Sequence, residues 1–94
     1  MTFVNRLKDY KLTYSLKAKK YLEKLDKKIA AHIYKKLEQL VNGEDNLDVK
    51  KLSGTTEPRF RLRINDIRVI YEVVEHEIVV YIIEIGHRRE IYRG

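Results

Sequence analysis

The stretch RFRLRINDIRVIYEVV, residues 59–74, constrains this chain more than any other. Phe60, Leu62 and Ile64 alternate with arginines, and Ile67, Val69, Tyr71 and Val73 alternate again after Asn65-Asp66. Two runs of period two on either side of a turn-forming dipeptide predict a β-hairpin. Asn-Asp is a fair two-residue loop, weaker than Asn-Gly. Counting outward from it places Ile64 opposite Ile67, Arg63 opposite Arg68, Leu62 opposite Val69, Arg61 opposite Ile70, Phe60 opposite Tyr71 and Arg59 opposite Glu72. One side of the hairpin, from Phe60 to Val73, is apolar and belongs in the core. The other carries Arg59, Arg61, Arg63 and Arg68 with Ile70, Glu72 and Val74.

The flanking sequence completes an α+β pattern. EIVVYIIEIG reads as a further strand, joined by a turn near EHE. Upstream, YKLTYS alternates as a short strand, and Ser15 is placed to cap the helix that follows it. Ala18, Tyr21, Leu22 and Leu25 recur at helical spacing. Asp26 is a second candidate N-cap, ahead of a longer stripe made by Ile29, Ile33, Leu37, Leu40 and Val41, and Asn42-Gly43 supplies the stop. EDNLDVKKLSGTTEP, with the only proline, reads as a loop, and residues 1–9 as a lead-in without clear period. The expected architecture is an N-terminal strand and a helical hairpin packed on one face of a small, mainly antiparallel sheet, in a single domain over residues 1–94.

Composition sets the class of partner. The charged fraction is 36% and the net charge +6, which favours anionic partners such as nucleic acid, the ribosome or an acidic protein. All twelve lysines lie at or before Lys51, whereas seven of the eight arginines lie at or after Arg59. Lysine suits exposed helix faces, while the planar arginine fork matches phosphate oxygens, so the carboxyl half carries the candidate site. No apolar run approaches the roughly 20 residues of a membrane span, no signal-peptide pattern opens the chain and there is no cysteine. A cytoplasmic protein fits best.

Within the arginine face, Arg59 has a ready cross-strand partner in Glu72. Arg63 and Arg68 are like charges set opposite each other, which destabilises a sheet by up to about 1 kcal/mol. A phosphate ligand supplies a reason for the pair; long stems splayed into solvent are the bland alternative. A three-residue EHE turn would bring Glu84 near Arg68. The closing GHRREIYRG adds His87, Arg88, Arg89, Tyr92 and Arg93, with Arg88 and Tyr92 four apart and so on one side of either a helix or a strand. The bland reading of that segment is a solvated, fraying tail. His32 and His76 read as a helix-surface and a turn residue, and no motif with metal-ligand spacing is present.

The stretches VKKLSG, RFRLRINDIRVIYEV and GHRREIYR, with the opening YKLTYSLKAKKYLEKL, resemble the RelE group of the RelE/ParE toxin superfamily over roughly residues 10–93. The resemblance implies a ribosome-dependent endoribonuclease that cuts mRNA in the A site. It further implies attack by an RNA 2′-hydroxyl on the adjacent phosphate with no metal and no cofactor, and a RelB-like antitoxin, acidic by expectation, that holds the enzyme inactive. It implies a catalytic set of Arg61, Arg68, Arg88 and Tyr92 with Arg63 beside them, and His87, Arg89 and Lys51 are further candidate RNA or phosphate contacts. Arginine stands here where well-studied members carry lysine on the second strand, and His87 occupies a variable position. Arginine holds its proton at any working pH, so these side chains orient the phosphate and stabilise its charge, and Tyr92 and His87 are the conventional proton carriers. Two other functions compete: a ParE-like inhibitor of DNA gyrase, whose chains generally lack this basic set, and a basic RNA-binding module without chemistry.

Overall fold

The computed structural model describes residues 9–52, 58–87 and 89. Strand β1 (Lys11–Tyr14) leads into helix α1 (Leu16–Lys24) and helix α2 (Lys27–Val41). Strands β2 (Asp48–Lys51), β3 (Arg59–Ile64), β4 (Ile67–Val74) and β5 (Val79–His87) follow, with a single 3-10 turn over Glu75–Glu77 between the last two. The five strands form one sheet in the order β1-β5-β4-β3-β2. β1 runs parallel to β5, and every other pair is antiparallel. This is the α+β arrangement read from the sequence, with one strand more than expected.

The core forms between the two helices and one face of the sheet. Ala18 and Leu22 of α1 and Ile33, Leu37, Leu40 and Val41 of α2 pack with Leu62, Ile64, Val69, Tyr71, Val73, Val80, Ile82 and Ile85. Each fully buried aliphatic side chain contributes roughly 1.5–3 kcal/mol relative to exposure, so this layer holds the two halves together. Ile29 does not join it and is 46% exposed. At 3.6 residues per turn Ile29 falls about 20° outside the arc spanned by Ile33, Leu37, Leu40 and Val41.

Ser15 fastens α1 to the sheet. Its Oγ accepts from the Ala18 N–H at 3.0 Å, as an N-cap should, and donates to the Ile83 carbonyl at 2.6 Å. Asp26 occupies the N-cap position of α2, yet among the described residues its carboxylate caps no N–H. Gly43 ends α2 in the left-handed region at φ 80, as the Asn-Gly stop requires.

The predicted loop between α2 and β3 contains a strand. All four residues of β2 are exposed and three are charged, so no apolar alternation marks it. It is an edge strand, where charge discourages pairing with other chains. The β3–β4 register matches the count from the Asn65-Asp66 turn at all six pairs. Asn65 takes φ 55 there, a conformation asparagine tolerates better than most residues.

Candidate nucleic-acid interface

Residues opposite each other in a ladder point to the same side of the sheet. Asp48↔Arg63, Lys50↔Arg61, Arg63↔Arg68, Arg61↔Ile70 and Arg59↔Glu72 therefore place a mixed charged strip on the sheet face away from the helices. Arg59 Nε donates to Glu72 Oε2 at 2.8 Å, the cross-strand ion pair expected from the sequence. Arg61 Nη2 donates to Asp48 Oδ1 at 3.0 Å, and Arg63 Nε lies 3.5 Å from Asp48 Oδ2. Arg68 is buried, 4% exposed, and its Nη1 donates to the Asn65 carbonyl at 3.1 Å. Arg61 and Arg63 thus converge on one carboxylate, while Arg68 braces the turn beneath them.

Glu84 is not the partner of Arg68. The turn after β4 includes Ile78 as well as Glu75–Glu77, and a bulge leaves Ile83 as an extra residue, because Ile70 faces Glu84 while Tyr71 faces Ile82. Each irregularity moves β5 along by one position. Arg68 consequently faces Gly86, and Glu84 accepts instead from Lys17 Nζ of α1 at 3.0 Å.

Lys51 lies opposite Phe60, on the helix side of the sheet, and Lys50 is the β2 lysine on the arginine side. His87 ends β5 opposite Ile67, and so starts from the helix side of the sheet and not from the arginine side; it is exposed at the strand's end, as is Arg89 just beyond it. Arg88, Tyr92 and Arg93 lie outside the described residues, as do residues 1–8 of the lead-in. His76 is exposed in the turn, 3.8 Å from Glu77. His32 is also exposed, on α2, and with Lys36 it lines a groove of about 470 Å³ whose other wall holds Asp48, Arg63 and Asn65. Asp48, Lys50 and this groove escaped the sequence reading. Recognising VKK as a strand paired with RFRLR would have disclosed the first two.

Burial pushes the Tyr71 phenol well above its ordinary range, so it stays neutral and stacks on Phe60 with ring centroids 5.4 Å apart. Burial, and secondarily the neighbouring Tyr34, also raise Tyr14. Neither phenol is a proton acceptor near neutral pH. Among the described residues, no group of three or more His, Asp or Glu side chains gathers closely enough to hold a metal ion. No described helix is long and apolar enough to cross a membrane.

These features define a class: a small basic α+β protein with a helical hairpin on one sheet face and clustered arginines on the other. Residues 12–92 match the model of a family described as the ParE toxin of type II toxin–antitoxin systems, parDE, and the chain belongs to that toxin family, as a RelE-type member of the RelE/ParE superfamily. The structural likeness is to RelE. Archaeal RelE from the RelE–RelB complex of Pyrococcus horikoshii superposes with a TM-score of 0.73 at 27% identity, covering 92% of this chain and 99% of that one. The isolated E. coli RelE toxin gives a TM-score of 0.66 at 26% identity, over 83% of each chain. An E. coli RelE variant in complex with a RelB antitoxin peptide gives 0.64 at 27% identity, over 89% of this chain and 90% of that one. No curated relative matches the chain in sequence.

Proposed function

We propose that this toxin is a ribosome-dependent endoribonuclease that cleaves mRNA in the A site and is silenced by a cognate RelB-like antitoxin. The observation that carries the reading is the convergence of Arg61 and Arg63 on one anion, Asp48, on the sheet face away from the helices. Two guanidinium groups aimed at a shared oxyanion are what a phosphodiester undergoing attack requires.

In this reading Arg61 and Arg63 bind the non-bridging oxygens of the scissile phosphate. The neighbouring 2′-oxygen forms a bond to phosphorus, and the bond from phosphorus to the 5′-oxygen of the next nucleotide breaks. One proton must leave the 2′-hydroxyl and one must reach the departing 5′-oxygen; Tyr92 is the first candidate for these transfers, and His87, which starts from the helix side of the sheet, would have to reach round the end of β5. Arg88 adds charge stabilisation. Arg68, buried against the turn, acts as a positioning residue that fixes the hairpin carrying Arg63. Arg89 and Lys50 extend the basic surface along the strand of RNA, with Lys51 displaced to its margin. The ribosome presents the mRNA and supplies the alignment that so small a site lacks.

The antitoxin follows from the fold matches, which include RelE proteins bound to RelB. An acidic segment that folds on binding complements the net charge of +6. A second reading rests on the family description, which names ParE: inhibition of DNA gyrase through protein contact. The deciding experiment adds the purified toxin to a translating extract and maps mRNA 5′ ends. Ribosome-dependent cuts within codons support the proposal. Intact mRNA together with gyrase-linked DNA breaks supports the second reading, and intact mRNA with RNA binding alone supports a module without chemistry.

A further inference from the structure

Asp48 is the one acidic residue of β2, and it stands directly opposite Arg63. Its carboxylate is divided between two arginines, Oδ1 to Arg61 at 3.0 Å and Oδ2 to Arg63 at 3.5 Å. Two oxygens on one centre, each held by a different guanidinium, reproduce how a phosphodiester presents its non-bridging oxygens. The partners differ in exposure. The Arg61 side chain is 12% exposed, whereas those of Asp48 and Arg63 are each 53% exposed, Asp48 on an edge strand. The carboxylate can therefore swing into water while Arg61 stays in place and Arg63, at the surface, follows the incoming phosphate. Asp48 and Arg63 also line a groove with Lys36 of α2, so an entering phosphate has a concave approach with two cations and, once Asp48 is displaced, no facing carboxylate.

We propose that Asp48 is a built-in counter-ion: it holds the Arg61–Arg63 cradle while no RNA is bound, and a backbone phosphate of the RNA displaces it. This inference rests on the RNA-cleaving reading above. It gives Asp48 two opposed effects. In the free toxin it offsets repulsion within the arginine strip. During binding it competes with the ligand, so measured affinity is the arginine–phosphate interaction less the interaction given up by the carboxylate.

The test measures binding of a short fluorescent oligouridylate to the full chain at low and at physiological salt. Asp48→Asn keeps the shape and removes the charge, and binding should tighten about three- to tenfold at low salt, the scale of one or two exposed ion pairs. The gain should shrink as salt rises. Asp48→Glu should stay within about twofold of wild type, and Asp48→Ser, which also lacks the charge, should follow Asp48→Asn. Glu23→Gln, an equal charge change on exposed α1, serves as control and should move binding by less than about twofold. In an Arg61→Ala/Arg63→Ala background the gain from Asp48→Asn should vanish. Unchanged or weaker binding by Asp48→Asn and Asp48→Ser overturns the proposal, as does an equal gain from Glu23→Gln. If Arg61→Ala/Arg63→Ala itself binds RNA as tightly as wild type, the arginine face is not the RNA site and the broader reading fails with it. If that double variant binds weakly and Asp48→Asn gains nothing, only the counter-ion role is lost.

Discussion

Arg63 and Arg68 face each other directly across the β3–β4 ladder, yet they engage different acceptors. Arg63 lies 3.5 Å from the Asp48 carboxylate on the neighbouring strand, and Arg68 turns back to donate to the Asn65 carbonyl at 3.1 Å. The like-charge penalty expected of such a pair is thereby offset from both sides. From the sequence alone, removing Arg68 should relieve Arg63 and leave stability level or slightly raised. Its burial and its bond to the turn reverse that expectation. Arg68→Ala should lower unfolding free energy by about 1.5–3 kcal/mol, the range for a hydrogen bond from a charged group. Urea titration checks this, and a variant as stable as wild type would show the turn needs no brace. Because stability changes, loss of growth arrest must be compared with Arg68→Lys at matched soluble expression.

Ser15 joins the start of α1 to the bulge in β5 through one hydroxyl. Ser15→Ala loses the cap and leaves the Ile83 carbonyl without that donor. A cost of about 1–2 kcal/mol follows for the cap, with some addition for the second bond. Ser15→Thr, which can keep both, should cost less. Thermal melting of the two variants separates these outcomes, and equal stability of alanine and wild type would remove the fastening role.

Ile78 closes the turn before β5 at φ 55, in the left-handed region, and is 51% exposed. A β-branched residue is an outlier there, at a penalty of roughly 1–2 kcal/mol. Ile78→Gly removes the penalty but gives the unfolded chain more freedom, worth about 0.5–1 kcal/mol in the other direction. A net gain of some tenths to about 1 kcal/mol is expected, readable as a higher urea midpoint at unchanged slope. A lower midpoint would mean that the half-buried side chain outweighs the backbone term.

The same irregularities explain what the sequence disclosed and what it concealed. The β3–β4 register was legible because period two ran unbroken on both sides of a two-residue turn. Arg59 and Glu72 were legible as a pair for the same reason. The position of Glu84 depended on a turn length the sequence does not mark, because neither Ile78 in the turn nor Ile83 in the bulge is a glycine or other local signal. β2 was hidden because an exposed, charged edge strand has no apolar face to repeat. Asp48 was hidden with it, since a counter-ion can be counted only once its strand is paired. The helices were read from their apolar stripes, except for Ile29 at the margin of its arc.

The closing stretch GHRREIYRG bears on catalysis more than on folding. His87 still belongs to β5, opposite Ile67 at the same end of β4 as Arg68, so β5 itself ends beside the turn of the arginine hairpin. Arg88 and Tyr92 share a four-residue spacing and match the tail of RelE-type toxins by resemblance. Among the described residues the core cluster runs from Ala18 to Ile85. A chain lacking residues 88–94 keeps that cluster and should fold and still bind its antitoxin, while ribosome-dependent cleavage falls steeply. Arg88→Ala should slow the chemical step about 10²–10³-fold, the scale of one lost oxyanion donor. Tyr92→Phe keeps a ring for stacking and loses the hydroxyl, whereas Tyr92→Ala loses both, and stacking alone is worth roughly 1–3 kcal/mol per base. Single-turnover cleavage on stalled ribosomes distinguishes the roles. If phenylalanine matches wild type and alanine is inactive, Tyr92 stacks a base and the proton passes to His87. If phenylalanine is as inactive as alanine, the hydroxyl carries the proton. If the truncated chain cleaves at the full rate, the tail is a solvated end and the chemistry belongs to the sheet alone.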